Sequence, residues 1–146
     1  MEALLTAMVV WLSASFNLPA TFDHPRIDFA SATKMTSLFY ESIAQEQAGM
    51  QSNQPLSEFV SIYNRQTRTI YLLDGWTGKT PAELSVLVHE MVHHLQNVAG
   101  LTFACSQERE ELAYKAQERW LGLFGHDLAQ DFQLDPFSIL VKTKCL

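Results

Sequence analysis

The chain has 146 residues, 47% of them hydrophobic, and a formal net charge of −6 at pH 7. A chain of this length can bury one sizeable hydrophobic core but not two, so we expect a single domain over residues 1–146. The acidic balance and the lack of a basic cluster argue against a nucleic-acid-binding surface.

The longest apolar stretch covers Met1–Leu18. It lacks the basic flank of a signal peptide, because Glu2 is its only charged residue, and it is short for a membrane span. Its large apolar side chains recur at the spacing of an amphipathic helix, at Leu4, Leu5, Met8, Trp11, Leu12 and Phe16. We therefore expect a helix that packs on the core, and neither a targeting segment nor a membrane span.

Residues 25–72 are predicted to form a small sheet and one helix. Residues 25–29 alternate as a short strand, and Thr33 to about Gln47 carries the apolar spacing of a helix. Residues 58–63 and 67–72 flank Asn64-Arg65-Gln66 and predict a β-hairpin.

The next helix has clear signals at both ends. Thr80-Pro81-Ala82-Glu83 is a capping box with proline at the first helical position, and Gly100 offers a C-terminal stop. On a helical wheel, His89 and His93 point about 140° and 180° away from the main apolar side chains. We therefore expect one face in the core and the opposite face to present the histidines. The apolar face consists of Leu84, Val88, Met91 and Leu95.

The two histidines belong to an HExxH motif, His89-Glu90-Met91-Val92-His93. Four residues apart on a helix, both imidazoles can reach one Zn²⁺, while Glu90 lies beside them as a general base for a zinc-activated water. A catalytic zinc needs a third protein ligand and leaves one position for water. The other three histidines have no partner at ligand spacing and receive no metal role: His24, His94 and His126.

A second helix is predicted over residues 106–124, with Ser106 as its N-cap. Glu110 lies at one edge of its apolar arc, in line with Ala113, Tyr114 and Gln117, whereas Glu111 points toward water. We predict Glu110 as the third zinc ligand, with Glu111 as the alternative, and Glu108 as a solvated charge. The arc consists of Leu112, Ala113, Ala116, Trp120, Leu123 and Phe124.

The sequence contains two cysteines, Cys105 and Cys145, and no CxxC motif. We expect them to form a disulfide, because a cysteine at the end of a chain has little reason to exist for packing. The bond would tie the C-terminal tail to the helix that carries Glu110, and the alternative is two reduced thiols in a cytosolic protein. A disulfide favours an oxidising compartment, hence a periplasmic or secreted protein whose signal peptide is missing from this sequence.

His89-Glu90-x-x-His93, followed on the next helix by Glu110-x-x-Ala113-Tyr114, resembles the gluzincin arrangement of zinc metallopeptidases. The stretch Leu84–Gln96, the region of Cys105 and the pair Ala113-Tyr114 are similar, more narrowly, to a family of small bacterial zincin-like domains. That similarity covers most of residues 56–146. In many gluzincins an aspartate four residues after the glutamate ligand supports a histidine, whereas this sequence has Tyr114 there.

The resemblance implies an α+β fold, a minimal zincin-like domain. In it, the HExxH helix and the glutamate helix pack with a small hairpin-containing sheet and the N-terminal helix. In zincins an edge strand near the HExxH helix pairs with the extended substrate backbone, which makes one strand of the predicted hairpin the candidate here.

We expect a gluzincin-like zinc metallopeptidase, a hydrolase with Zn²⁺ as cofactor and a peptide or protein as substrate. Glu90 would be the general base, and Tyr114 is a candidate donor to the oxyanion, or alternatively to a ligand. One alternative function is a zinc-containing module that binds peptides or proteins without cleaving them. Another is a zinc that serves stability alone, which needs a fourth side chain such as Cys105.

Overall fold

A computed structural model describes residues 1–46 and 60–145. Within them the chain forms an α+β structure, which confirms the predicted class, and no helix combines the length and apolarity needed to cross a membrane. The elements are α1 Glu2–Phe16, β1 Arg26–Ala30, α2 Ala32–Glu46, β2 Ser61–Asn64, β3 Thr69–Leu73, α3 Pro81–Val98, α4 Glu110–Gly122, α5 Leu128–Phe132 and α6 Pro136–Thr143. They belong to two compact units, residues 25–76 and residues 1–24 with 77–146.

The unit of residues 25–76 contains the sheet, with strand order β1-β3-β2. β3 pairs in parallel with β1 and antiparallel with β2, so β2 is the hairpin strand that lies at an edge. The Asn64 side-chain oxygen accepts from the N–H groups of Gln66 and Thr67, which shapes the hairpin turn. The predicted hairpin and strand are thus confirmed to within a few residues, except that Glu58 and Phe59 lie outside the described residues.

Helix α2 covers this sheet through a small apolar cluster. Met35 is fully buried there and packs with Ala30 and Ile62. The predicted helix over residues 33–47 is confirmed as far as Glu46, and Gln47 lies outside the described residues.

In the other unit, α1 packs against α3 as predicted for an N-terminal core helix. Its buried face consists of Leu5, Met8, Val9 and Leu12. Trp11, at the edge of that face, meets Trp120 of α4 edge-on with ring centroids 5.3 Å apart.

The predicted ends of the HExxH helix, α3, are confirmed. The Thr80 hydroxyl accepts from the Glu83 N–H at 3.1 Å, and Gly100 follows the helix with a φ of 67°, a left-handed conformation that glycine adopts easily. The face that presents the histidines is buried as well, however. Every residue from Ser85 to Gln96 except His89 is buried, because α4 packs along the side that carries the histidines.

Helix α4 differs more from its prediction. It begins at Glu110, and residues 104–109 form turns in which the Glu108 carboxylate accepts from the Ala104 N–H at 2.6 Å. Ser106 therefore does not cap the helix. The buried face of α4 is turned by about 60° from the predicted arc, toward Glu110. This face consists of Ala113, Ala116, Gln117 and Leu121. Leu123 and Phe124, which we expected in the core, are exposed.

The predicted disulfide between Cys105 and Cys145 is confirmed, with the two Cα atoms 5.8 Å apart. It joins the turns before α4 to the residues that follow α6. Helices α5 and α6 were not predicted, although Asp127 and Asp135 are readable N-caps that accept from the N–H groups of Gln130 and Ser138.

Candidate metal centre

Three side chains from α3 and α4 converge on one point. The Oε2 atom of Glu110 lies 2.9 Å from Nε2 of His89 and 3.2 Å from Nε2 of His93, and the two Nε2 atoms are 3.3 Å apart. The histidines meet because they are one turn apart on α3, and Glu110 reaches them from the first turn of α4. The structure thus brings together the three residues predicted as ligands, and this group can hold a metal ion.

The spacing of these atoms fits a tetrahedral ion. With metal–ligand bonds of about 2.0–2.1 Å, the donor atoms of a tetrahedral zinc site are about 3.3 Å apart. The three observed separations, 2.9, 3.2 and 3.3 Å, lie close to that value. Two imidazoles and one carboxylate are also a ligand set that zinc takes in catalytic sites.

The Nδ1 atom of each of these two imidazoles lies within hydrogen-bond distance of a glutamine side chain. Nδ1 of His89 lies 3.0 Å from Oε1 of Gln117, and Nδ1 of His93 lies 3.1 Å from Oε1 of Gln96. Both glutamines are buried, and hydrogen bonds to the remote ring nitrogen of a metal-binding histidine are common in such centres. Neither glutamine was predicted to have a role.

The electrostatics of the group favour a positive charge between the ligands. Burial of the His93 ring acts to lower its pKa, but the negative charge of Glu110, and the hydrogen bond that its carboxylate accepts from the ring, raise that pKa to about 9. Burial acts to raise the pKa of Glu110, but the charge of His93 and hydrogen bonds from both imidazoles hold it well below its usual range. A protonated His93 and an ionised Glu110 thus stabilise each other's charged forms.

Glu90 and Tyr114, the predicted catalytic residues, lie next to this group. Glu90 is 5% exposed, and its negative charge contributes to the raised pKa of His93. The ring of Tyr114 meets the ring of His89 edge-on, with centroids 4.7 Å apart, so the tyrosine packs on this histidine.

The remaining candidates lie away from the centre. The carboxylate of Glu111 is 3.4 Å from the ammonium groups of both Lys115 and Lys144, so Glu110, and not Glu111, faces the histidines. Glu108 accepts from the backbone of Ala104, and Cys105 is disulfide-bonded.

The three histidines outside the motif have other contacts. His94 is buried, with Nε2 2.7 Å from the carbonyl oxygen of Asp23. His24 lies 2.8 Å from the Thr6 hydroxyl, and His126 pairs with Asp131 at 2.9 Å.

Comparison with known proteins gives a single assignment. No curated protein and no solved structure matches the chain. One family model matches residues 1–146, the whole of the chain. The chain therefore belongs to the family described as "Domain of unknown function (DUF6647)".

Proposed function

We propose that this protein is a zinc-dependent peptidase with a minimal, gluzincin-like centre, in which His89, His93 and Glu110 bind one Zn²⁺. The observation that carries the proposal is the convergence of two Nε2 atoms and one carboxylate oxygen at separations of 2.9–3.3 Å. Glu90 follows His89 on the same helix and adds the carboxylate that peptide hydrolysis requires.

The residues around the centre have separate tasks. When bound, Zn²⁺ supplies a Lewis acid that polarises the scissile carbonyl and makes water acidic near neutral pH. Glu90 accepts the proton of the attacking water at its carboxylate and returns it to the leaving amine. Glu110 offsets part of the positive charge, and Tyr114, packed on His89, is the proposed donor to the developing oxyanion.

The coordination set supports a catalytic centre better than a structural one. A purely structural zinc is closed by a fourth side chain, and Cys105 was the nearest thiol. Its sulfur is bonded to Cys145, and among the described residues no fourth His, Cys, Asp or Glu joins the group. A position is thus left for water and substrate.

We also propose that the protein works in an oxidising compartment, after export to the periplasm or the exterior. The support is the Cys105–Cys145 disulfide, because such bonds persist mainly outside the reducing cytosol.

The test of the proposed function compares the zinc-loaded protein with its Glu90→Gln variant on a broad peptide library, read by mass spectrometry. We expect the variant to keep the zinc affinity and the melting temperature of the native protein. Because glutamine cannot accept the water's proton, we expect the rate of hydrolysis to fall by about 10²- to 10⁴-fold. The matched control is Glu111→Gln, which changes a neighbouring carboxylate that pairs with lysines and should leave cleavage intact.

If the native protein holds one zinc per chain and cleaves no peptide in the library, the peptidase function is wrong and the zinc-containing binding module is favoured.

A further inference from the structure

The two glutamines behind the imidazoles each connect α3 to α4. Gln96 belongs to α3, and its Nε2 donates to the backbone carbonyl of Arg109, at the start of α4. Gln117 belongs to α4, and its Nε2 donates to the hydroxyl of Ser85 on α3. Their Oε1 atoms face the ring nitrogens of His93 and His89. Both amides are therefore engaged at both ends.

The partner of Gln96 fixes the proton on His93. A backbone carbonyl only accepts, so the amide nitrogen of Gln96 must face Arg109, at 3.2 Å. The amide oxygen then faces His93, at 3.1 Å, and an oxygen without a hydrogen requires a donor there. His93 therefore carries a proton on Nδ1, which leaves Nε2 as the ring nitrogen that can exchange its hydrogen for a metal ion.

The same reasoning applies to Gln117 through one more residue. The Ser85 hydroxyl donates to the carbonyl of Ala82 at 2.7 Å, so its oxygen accepts from the Gln117 amide at 3.3 Å. The amide oxygen of Gln117 consequently accepts from Nδ1–H of His89 at 3.0 Å. The proton position on each histidine is thus set by an amide whose own orientation is set by an acceptor oxygen.

We propose that Gln96 and Gln117 are positioning residues of the metal centre, which hold both histidines in the Nδ1–H form so that both bind the metal through Nε2. The inference rests on the zinc centre of the proposed function but not on peptide hydrolysis.

Gln117 and Gln96 differ in whether a glutamate can replace them, because the amide nitrogen of Gln117 donates to a hydroxyl and that of Gln96 donates to a backbone carbonyl. In Gln117→Glu, the Ser85 hydroxyl can turn its hydrogen to the new carboxylate, and the carboxylate still accepts from His89. In Gln96→Glu, one carboxylate oxygen faces the Arg109 carbonyl, two acceptors without a hydrogen between them. A glutamate should therefore replace Gln117 and fail to replace Gln96.

The experiment measures zinc affinity by competition with a chromophoric chelator. We expect Gln117→Leu and Gln96→Leu to weaken zinc binding by about 10- to 100-fold, the usual effect of losing such a partner. Gln117→Glu should bind zinc at least as tightly as the native protein, and Gln96→Glu should bind it at least about 10-fold more weakly. The control is Gln130→Leu on the exposed surface of α5, which should leave the zinc affinity unchanged.

A direct readout is long-range ¹H–¹⁵N NMR of the imidazole rings in the zinc-loaded native protein, which we expect to show a proton on Nδ1 of His89 and His93. If a leucine variant does not fold, Ser85→Ala tests the role of Gln117 instead. This variant removes the oxygen that accepts from the Gln117 amide, and we expect it to weaken zinc binding several-fold.

Coordination through Nδ1, or equal zinc affinity in the native, Ser85→Ala and Gln96→Glu proteins, would overturn the inference. A protein that binds no zinc overturns the centre with it, whereas zinc binding without peptide cleavage overturns the peptidase alone.

Discussion

Glu110 and Glu111 are neighbours on α4, yet their carboxylates meet opposite surroundings. Glu110 contacts two imidazole nitrogens, whereas Glu111 pairs with two lysine side chains. We expect Glu110→Ala to lose zinc, because two neutral imidazoles alone hold a dication poorly, and Glu111→Ala to retain it. Metal analysis of the two purified variants, with melting curves to confirm that they fold, makes the comparison. Zinc lost from Glu111→Ala and kept by Glu110→Ala would move the ligand by one residue.

At the level of single residues, the sequence predicted the donors but not the groups that orient them. The HExxH spacing and the line from Glu110 to Gln117 indicate positions on a helix face, and these hold in the structure. Gln96 and Gln117 were missed because a glutamine has no ligand signature, and its role appears only when two helices meet. A usable signal existed: Gln96 is three residues after His93, and Gln117 is seven after Glu110, each on the same helix face.

Among the helices, local signals decided what could be predicted. α3 is capped by residues adjacent in sequence, Thr80 and Glu83, so its bounds followed from the motif. α4 has no side-chain cap, and the turns before it depend on Glu108 and on the distant Cys145, which no local pattern reveals. Its rotation was misjudged because the buried face includes Gln117, a polar residue that a hydrophobic pattern assigns to water.

Glu83 gives a test of the cap on α3. Its carboxylate accepts from the Thr77 hydroxyl at 2.5 Å and from the Lys79 N–H at 3.1 Å, and the Thr77 bond is the main cause of its lowered pKa. A carboxyl whose pKa is lower in the folded state stabilises the fold above its unfolded pKa and loses that effect as pH falls through the folded value.

We therefore expect Glu83→Gln to lower the melting temperature of the metal-free protein by a few degrees at pH 7, with the difference narrowing below the ordinary glutamate pKa. Thermal unfolding at several pH values measures this, with Glu41→Gln on the exposed side of α2 as control. A melting difference that grows as the pH falls would contradict the assignment of Glu83 as a charged cap.

In the chain as a whole, the disulfide closes a segment with a sequence separation of 40 that contains α4, α5 and α6. The pairing was predictable because the sequence holds two cysteines and no other thiol for either to choose. Helices α5 and α6 within this segment were not predicted, because the prediction relied on apolar runs and not on the Asp127 and Asp135 caps. The single-domain prediction stays a prediction.

The disulfide is attached close to the start of α4. Cys105 lies five residues before Glu110, so the bond fastens the turns that lead to a proposed ligand. In the chain-entropy model, closing a loop of 40 residues stabilises the fold by about 4 kcal/mol. Reduction should then lower the melting temperature by about 10 °C, and it should weaken zinc binding because the start of α4 gains freedom.

Calorimetry measures the melting temperature and chelator competition measures the zinc affinity, each on the oxidised and the reduced protein. The control is the double variant Cys105→Ser/Cys145→Ser, which lacks the disulfide without any reductant present. The double variant should match the reduced protein in both measurements. Mass spectrometry of the unreduced protein must first show the loss of two hydrogens that the bond requires. Two free thiols that resist mild oxidant would remove the bridge, and with it the argument for an oxidising compartment.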